Sequence, residues 1–402
     1  MVRTRSTFIA VGVFVLIATA GFGQSPIHRA GEHHFRVVTV VDGLEVPWGM
    51  AFLPNGDMLV TERPGRLRIV RDGILLPDAV PGVPEVLARG QGGLMDVVLH
   101  PDFASNRLVY LSYSKPMGDN STTAVVRGRF ENDRLNDVEE VFEANTRGRG
   151  HYGSRIAFDA AGYMFISVGE RQAPSQGDLE AHPAQDLSNH HGVVVRLYDD
   201  GRVPDDNPFV GQEGKLPEIW SYGHRNPQGL AIHPETDSVF VAEHGPQGGD
   251  EVNFIQPGNN YGWPVIGFGV NYRSGTAIHE GTMRDGMEPP IHVWIPSIAT
   301  SGMLIYTGDK FPRWYGNMFV SGLSGQQLAR LVMEGDDIVQ EETLLRGIGR
   351  IRAVAQGPDG YIYVAIEDDD GGTTPIVRLE PVDESYPEEK RHPRRAPDSS
   401  RR

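Results

Sequence analysis

One hydrophobic pattern occurs six times along the chain. Each copy has a short apolar stretch, a turn rich in Pro, Asp or Gly, and a second stretch in which apolar and polar residues alternate. The copies are WGMAFLPNGDMLVTE (Trp48–Glu62), GLMDVVLHPDFASNRLVYLSYS (Gly93–Ser114), SRIAFDAAGYMFISVGE (Ser154–Glu170), QGLAIHPETDSVFVAEHG (Gln228–Gly245), SGMLIYTGDKFPRWYGNMFVSGL (Ser301–Leu323) and IRAVAQGPDGYIYVAIED (Ile351–Asp368). Alternation on both sides of a turn predicts a β-hairpin. One hairpin cannot bury its apolar face alone, so the hairpins must pack on one another.

The spacing of the hairpins predicts the architecture. Six units share about 360 residues, and about 60 residues suit a four-stranded propeller blade with its loops. The 49 glycines and 29 prolines supply many turns, and no segment has a long amphipathic helical pattern. We therefore predict an all-β protein, a six-bladed β-propeller in one domain over residues 24–382, because a pair of β-sandwiches would not need the regular repeat. Loops just before or after the repeated strands should then form the site.

The two ends of the chain lie outside the repeat. Residues 1–23 are predicted to be a secretory signal peptide, because Arg3 and Arg5 precede the apolar run Phe8–Ala20. That run is short for a membrane span of roughly 20 residues, and an uncleaved anchor is the alternative. Residues 383–402, rich in Pro, Arg, Glu and Ser, are predicted to be a disordered tail. We expect an exported protein, periplasmic or secreted, free or membrane-associated, with no stable membrane insertion after signal cleavage.

Composition removes several classes of function. The 402 residues include no cysteine, which excludes disulfides, thiolate zinc sites, iron–sulfur clusters and a cysteine nucleophile. With 37 basic and 53 acidic residues the net charge is −16, whereas nucleic-acid binding needs a basic surface, so no nucleic-acid partner is expected. Gly148–Gly153 fits GxGxxG, but it precedes a strand–turn–strand pattern instead of opening a helix, so no Rossmann site is predicted.

The polar loops beside the hairpins carry candidate chemistry. His151 precedes the third hairpin and Glu170 ends it, and a histidine oriented by a carboxylate can act as a general base. A loop histidine is more often a solvated or locally bonded residue, so the argument depends on the convergence of several such loops. Three arginines, Arg225, Arg350 and Arg352, suit a planar ligand with several carboxylates, although each could form an ordinary ion pair. Backbone carbonyls in Gly245–Pro246, with carboxylates nearby, suit calcium. A histidine base, a polyanionic ligand and calcium together indicate a quinone cofactor.

The motifs that contain these residues give the chain a specific resemblance. Over nearly all of residues 36–381 it resembles the PQQ-dependent soluble aldose sugar dehydrogenases, relatives of soluble quinoprotein glucose dehydrogenase. The motifs are PWGMAFLPNGDMLVTER, GQGGLMDVVLHPDF, GHYGSRIAFD, YGHRNPQGLAIHP, EHGPQGGDEVN, NNYGWP and GRIRAV. The resemblance implies a six-bladed propeller that holds PQQ over a calcium ion and oxidises aldoses at the anomeric carbon to lactones.

The resemblance also implies individual roles. His151 matches the catalytic base and Glu170 its carboxylate partner. Arg225 matches the arginine that polarises the quinone carbonyl, Asn226 a neighbouring PQQ contact, and Gln91 a glutamine near substrate and cofactor. Five residues match calcium ligands: the carbonyls of Gly245 and Pro246 at the cofactor's ion, and Asp250, Glu251 and Tyr261 at a second, structural ion. Arg350 and Arg352 match the arginines that clamp the PQQ carboxylates.

Two departures point to the aldose branch of this family. The late loop SGLSGQQL has no lysine where the glucose enzymes have one that reaches PQQ, so groups near Leu323 and Ser324 are predicted to take its place. Ile295 stands where an aromatic residue shapes the glucose pocket, which predicts a wider and less selective sugar site. The predicted partners are a small-molecule aldose and an external electron acceptor. The alternatives are a calcium-dependent propeller lactonase and a non-enzymatic binding propeller, although the three arginines and His151 together favour the dehydrogenase.

Overall fold

A computed structural model describes residues 26–382 of the chain, and the predicted signal peptide and tail lie outside these residues. The described residues form six antiparallel sheets of four or five strands each. Their helices are limited to one four-residue α-helix, α1 (Phe103–Asn106), and two three-residue 3-10 helices, Pro183–Gln185 and Pro312–Trp314. The prediction of an all-β, six-bladed propeller is confirmed.

Each sheet is one blade, and the strands of a blade follow one another in the chain. The strands of blades 1 to 3 are β3 Pro47–Phe52, β4 Met58–Glu62, β5 Arg66–Arg71 and β6 Ile74–Leu75; β7 Leu94–Leu99, β8 Leu108–Met117, β9 Asn120–Glu131 and β10 Arg134–Glu143; and β11 Ile156–Phe158, β12 Met164–Val168, β13 Val193–Leu197 and β14 Ile219–Tyr222. The strands of blades 4 and 5 are β15 Pro227–Ile232, β16 Val239–Glu243, β17 Asp250–Ile255 and β18 His292–Trp294; and β19 Thr300–Ile305, β20 Met318–Gly322, β21 Gln327–Glu334 and β22 Asp337–Leu344.

The sixth blade closes the ring. Its first three strands come from the end of the described residues, and its outer two strands come from the beginning. The closing pair is antiparallel, with Val37 opposite Leu379. Joining the two ends of a propeller in one sheet removes the open edge of the fold. The strands of this blade, from the centre outwards, are β23 Arg350–Gln356, β24 Ile362–Glu367, β25 Thr373–Pro381, β2 His33–Glu45 and β1 Ile27–Ala30.

The six predicted hairpins are the first two strands of the six blades. The first strands of successive blades lie side by side around the centre. Because each hairpin is antiparallel, the start of its first strand and the end of its second strand lie at the same end of the propeller. The predicted site residues other than Tyr261 lie in loops or strand ends at that end of the molecule, and Tyr261 lies in the long loop between β17 and β18.

The core lies between neighbouring blades. Blades 1 and 2, for example, share a cluster that includes Leu59, Leu67, Leu94 and Leu111, all fully buried. A strand such as β4 is buried at every position because both faces of its sheet are covered. No helix in residues 26–382 has the length and apolar character that a membrane span requires.

Candidate active site

An open cavity of about 480 Å³ lies at the end of the propeller where the site loops meet. His151, Glu170 and Arg225 line it, together with Gln91 and Pro246. The rest of its wall comes from two long loops and carries no charged side chain. These further lining residues are Gln172, Ala173, Pro174, Ser175, Gln176, Trp263, Asn271, Tyr272 and Ile278. The sequence prediction therefore named the charged residues that line this cavity, but it missed most of the uncharged residues of its wall.

His151 and Glu170 form a buried pair across the third hairpin. The Nδ1 atom of His151 lies 2.6 Å from Oε2 of Glu170, and both side chains are buried. Burial opposes ionisation of Glu170, but its electrostatic interaction and hydrogen bond with His151 outweigh burial and lower the pKa of Glu170. Burial likewise lowers the pKa of His151, against the opposing effect of Glu170. The imidazole is therefore neutral near pH 7, with its proton on Nδ1 and a lone pair on Nε2.

The backbone of His151 is held in an unusual conformation. Its φ is 43°, in the left-handed region that non-glycine residues rarely occupy. Its N–H donates to Oε1 of Gln91 over 2.7 Å, so Gln91 reaches the base through the backbone. Asn226 contacts the same loop, because its Oδ1 accepts a hydrogen bond from the N–H of Gly153 over 3.2 Å. Strained residues of this kind persist where the surrounding structure fixes them, and they cluster at functional sites.

Arg225 lies between the cavity and the backbone of Gly245. Its Nη1 donates to the Gly245 carbonyl over 2.7 Å, and its guanidinium lies 5.1 Å from the centre of a Trp263 ring. Its own N–H donates to Glu243 over 2.6 Å. Its Nε is buried and has no hydrogen-bond partner in the described part of the chain. Arg225 thus retains a donor for a ligand in the cavity.

A second, much smaller cavity contains four of the five predicted metal residues. It has a volume of about 20 Å³, and Gly245, Pro246, Glu251 and Tyr261 line it together with Glu243. A cavity of this size holds one small ion or one water molecule. Glu243 and Glu251 lie directly opposite each other on β16 and β17. Burial, and after it the charge of Glu243, raises the pKa of Glu251 well above its usual range.

Asp250 does not share this cavity. Its Oδ1 accepts from the N–H of Gly245 over 2.9 Å and its Oδ2 accepts from the N–H of Thr300 over 3.2 Å, so its carboxylate fixes the Gly245 turn. The Tyr261 hydroxyl is also occupied, because it donates to the Phe254 carbonyl over 2.6 Å. No cluster of three or more His, Asp or Glu side chains in residues 26–382 is placed to hold a metal ion. A cation here would depend on backbone carbonyls as well as on carboxylates.

Arg350 and Arg352 meet at a carboxylate rather than at the cavity wall. Arg352 donates to Glu367 through Nε, over 2.7 Å, and Arg350 donates to Glu367 over 3.1 Å. Arg63 lies beside them, and burial, followed by the charge of Arg352, lowers its pKa. Asp369 pairs with Arg350 over 3.1 Å. Three guanidinium groups therefore share two carboxylates.

The late loop lies close to the Gly245 turn. Ser324 donates to the Ser297 carbonyl and Ser297 donates to the Pro246 carbonyl, each over 3.5 Å, at the limit of a hydrogen bond. Leu323 is buried and its N–H donates to the Ala299 carbonyl over 2.9 Å. Ile295 is 66% exposed and does not line the cavity around His151.

Sequence reasoning missed four polar residues of this region. Arg63, Arg171, Glu243 and His244 each lie at or just past the end of the second strand of a blade. His244 is half-buried beside Arg225, His151 and Arg352. Desolvation, and after it the charge of Arg225, lowers its pKa well below 6.5, and its buried Nε2 has no partner among residues 26–382. A signal was present, since four of the six copies have Glu at or within two residues of their end, in TER, GER, AEH and IED.

Comparison with known proteins gives a consistent result. Residues 44–378 match the Glucose / Sorbosone dehydrogenase family. Aldose sugar dehydrogenase YliI of Escherichia coli (strain K12) is 44% identical over 345 residues, which cover 83% of this chain and 91% of that protein. The crystal structure of the soluble aldose sugar dehydrogenase of E. coli in its apo-form superposes with a TM-score of 0.81 at 42% identity, over 87% of this chain and 100% of that one. The PQQ-bound form of aldose sugar dehydrogenase from Streptomyces coelicolor superposes with a TM-score of 0.71 at 30% identity, over 87% and 98%.

Proposed function

This chain belongs to the glucose/sorbosone dehydrogenase family, and from that premise we propose that it oxidises aldose sugars at the anomeric carbon to lactones, with PQQ and calcium. The observation that carries the proposal is the buried His151–Glu170 pair, 2.6 Å apart, in the wall of a cavity that Arg225 also lines. A solved relative at 30% identity is described as PQQ-bound, which supports the cofactor.

The polar groups of the site suit PQQ. The buried Arg225 Nε and His244 Nε2 lack partners among the described residues, and such atoms are costly unless a ligand or water satisfies them. Arg225, Asn226 and Gln91 would hold the quinone side of the cofactor, and Arg350 and Arg352 its carboxylates, with Leu323 and Ser324 beside it. When bound, PQQ supplies the acceptor for a hydride and its two electrons.

His151 performs the proton step in this proposal. Its Nε2 lone pair takes the proton of the anomeric hydroxyl, while the hydride leaves the anomeric carbon, so that the C1–O bond becomes the carbonyl of the lactone. Glu170 orients the ring through Nδ1 and stabilises the imidazolium that forms. An external acceptor must then remove two electrons before the next turnover.

The uncharged wall of the cavity supports a sugar substrate. Gln172, Gln176, Ser175 and Asn271 offer amide and hydroxyl groups that can bond to neutral sugar hydroxyls. Ile295 lies outside this wall and is largely exposed. We propose that no bulky side chain in that position restricts the sugar, so that several aldoses are accepted.

Reconstitution is expected to show a dependence on both cofactors. Purified apo-protein with calcium and PQQ should reduce an artificial electron acceptor when an aldose is added, whereas EDTA-treated and PQQ-free samples should not. A sugar series should give kcat/KM values that differ among several aldoses by no more than about 10–200-fold, the effect of a single pocket contact worth about 1–3 kcal/mol.

The outcomes of reconstitution separate the candidate functions. One preferred sugar with strong rejection of all others would contradict the open pocket but keep the dehydrogenase. Tight PQQ binding without aldose turnover would move the search to other alcohols. If PQQ does not bind, the dehydrogenase proposal is wrong, and lactone hydrolysis becomes the next assay.

The resemblance implies two calcium ions, but Gly245, Pro246, Glu251 and Tyr261 line one small cavity, so we further propose a single calcium ion there, held by backbone carbonyls and by the Glu251 carboxylate. The support is the pair of opposed carboxylates, Glu243 and Glu251, whose repulsion a cation would relieve. Asp250 is proposed only as a positioning residue, because two backbone N–H groups occupy its carboxylate.

Calcium is expected to raise the melting temperature of the wild-type protein, and Glu251→Gln should abolish most of that increase. The substitution removes one of the two facing charges, so less repulsion remains for the ion to relieve. Differential scanning calorimetry with and without calcium measures both effects. Glu213→Gln is the matched control, because Glu213 is exposed and does not line the cavity. Equal calcium shifts in wild type and Glu251→Gln would place the ion elsewhere.

Export is proposed from the sequence of residues 1–23 alone. Sequencing the N-terminus of the protein purified from its natural source tests it, because cleavage near Gly23 is expected.

A further inference from the structure

Arg171 makes two hydrogen bonds to the loop that carries His151 and one to the neighbouring strand β9. Its Nη1 donates to the Gly150 carbonyl over 2.6 Å, and its Nη2 donates to the Gly148 carbonyl over 2.7 Å and to the Ser121 carbonyl over 3.1 Å. Its guanidinium also lies 3.7 Å from the centre of the Tyr152 ring. Arg171 is 5% exposed, so these interactions are shielded from water. One planar cation therefore clamps the residues on both sides of His151.

The glycines of this loop allow the close approach. A Cβ on Gly148 would lie 2.9 Å from the Cβ of Arg171, and a Cβ on Gly150 would lie 2.4 Å from the side chain of Gln172. The loop and the segment after Glu170 therefore pack backbone against side chain with no space to spare. The first two glycines of the GxGxxG pattern have their physical reason here, in packing against Arg171 and Gln172 rather than in phosphate binding. The third, Gly153, has a φ of 64° and packs against the backbone of Ser167.

The clamp offsets local strain. His151, Arg171 and Gln172 have φ values of 43°, 63° and 59°, all in the left-handed region. Each such conformation is unfavourable for a non-glycine residue and persists only when its surroundings fix it. Without the Arg171 bonds, the Gly150 carbonyl would lose its buried donor, the Gly148 carbonyl would keep only its longer bonds from Ser121, over 3.3 Å, and the loop could relax.

We propose that Arg171 is the positioning residue of the general base: its buried guanidinium holds the Gly148–Gly153 loop so that the His151 ring stays against Glu170 and aims Nε2 into the cavity. The inference deepens the proposed function and rests on it, because it assumes that His151 is the base. Arg171 touches neither the substrate nor the cofactor in this account; it acts through the loop.

The charges that face His151 give the inference an electrostatic readout. Glu170 favours the imidazolium, whereas Arg225, Arg171 and the neighbouring His244, when charged, disfavour it. Removal of the Arg171 charge should therefore raise the pKa of His151. Because the base is active when neutral, the acid limb of the kcat/KM profile should move to higher pH.

The test compares three variants of the calcium- and PQQ-loaded protein. Arg171→Met removes the guanidinium donors and the positive charge. As a result kcat should fall by about 10²-fold, as expected for a reacting group displaced by roughly 1 Å. KM for the aldose should stay near the wild-type value, since Arg171 does not line the cavity. Arg171→Lys keeps the charge, so it should recover part of kcat and leave the acid limb in place. Arg149→Met is the matched control: this neighbouring arginine is exposed, with its Nε on the Asp119 carbonyl, and its loss should change neither quantity.

The outcomes distinguish this inference from the proposed function. If wild type shows no PQQ-dependent aldose turnover, the proposed function fails first and the inference with it. If wild type turns over, His151→Gln does not, and Arg171→Met keeps the wild-type kcat and pH profile, the inference alone is overturned. A parallel loss of kcat and PQQ affinity with an unmoved acid limb would also overturn it, because it would indicate a general structural role. If near-UV circular dichroism shows that Arg171→Met does not fold, the kcat and pH profile of Arg171→Lys decide in the same way.

Discussion

Replacement of His151 by glutamine is expected to lower kcat of the calcium- and PQQ-loaded protein by about 10²–10⁴-fold, the usual contribution of a general base. Affinity for PQQ should stay near the wild-type value, because the ring contacts Glu170 and its backbone N–H contacts Gln91. Glutamine offers no basic nitrogen, so the anomeric proton has no acceptor at that place. Steady-state kinetics with an artificial acceptor measure kcat, and an absorbance titration with PQQ measures binding.

Two further variants complete this experiment. Glu170→Gln should also lower kcat, and it should move the acid limb of the kcat/KM profile to lower pH, because Glu170 raises the pKa of His151. His233→Gln is the control histidine: it lies in the turn between β15 and β16, at the opposite end of the propeller. Loss of PQQ affinity in His151→Gln would assign His151 a structural role instead, and an unchanged kcat would exclude it as the base.

The repeat made much of this geometry predictable from sequence. Strand alternation located the inner hairpin of each blade, and the antiparallel hairpin then placed His151 and Glu170 at the same end. The repeated glutamate at the second strand's end has a common use that was not predicted. Glu170 binds His151, Glu243 accepts from the N–H of Arg225, and Glu367 binds Arg350 and Arg352.

Contacts between distant blades could not be read from local patterns. Arg155 and Arg352 are 197 residues apart in the chain, and their hydrogen bond follows only from closure of the ring. Arg350 and Arg352 were expected to face a ligand directly, but Glu367 neutralises part of their charge. The resemblance places Asp250 with Glu251 among the metal ligands, but successive residues of a strand point to opposite faces, and the Asp250 carboxylate accepts from two backbone N–H groups.

A second large effect is expected in the free energy of unfolding, at the buried ion pair near the propeller centre. Arg155 donates to Asp96 over 3.1 Å, to the Gln228 carbonyl over 2.8 Å and to the Arg352 carbonyl over 3.1 Å. Arg155 precedes the first strand of blade 3, and its partners lie on the first strands of blades 2, 4 and 6. One guanidinium thus joins four blades.

Asp96→Asn should lower the free energy of unfolding by about 3–5 kcal/mol, because it leaves the Arg155 charge buried without a counter-charge. Urea unfolding followed by circular dichroism measures the difference. Asp133→Asn is the matched control. It breaks an ion pair with Arg71 on the protein surface, where such pairs contribute about 0–1 kcal/mol. A cost for Asp96→Asn no larger than that of the control would show that Arg155 does not depend on this carboxylate.

The double variant Asp96→Leu with Arg155→Met separates the charge from the packing. Apolar replacement of a whole buried pair is often close to neutral, so the double variant should cost less than the sum of the single changes. It should nevertheless weaken PQQ binding, because the Arg352 carbonyl loses its donor and Arg352 is one of the proposed carboxylate clamps. A stable double variant with reduced PQQ affinity would show that the central ion pair serves the geometry of the site more than the stability of the fold. Wild-type PQQ affinity in that variant would show that Glu367 and Gln228 alone fix Arg352.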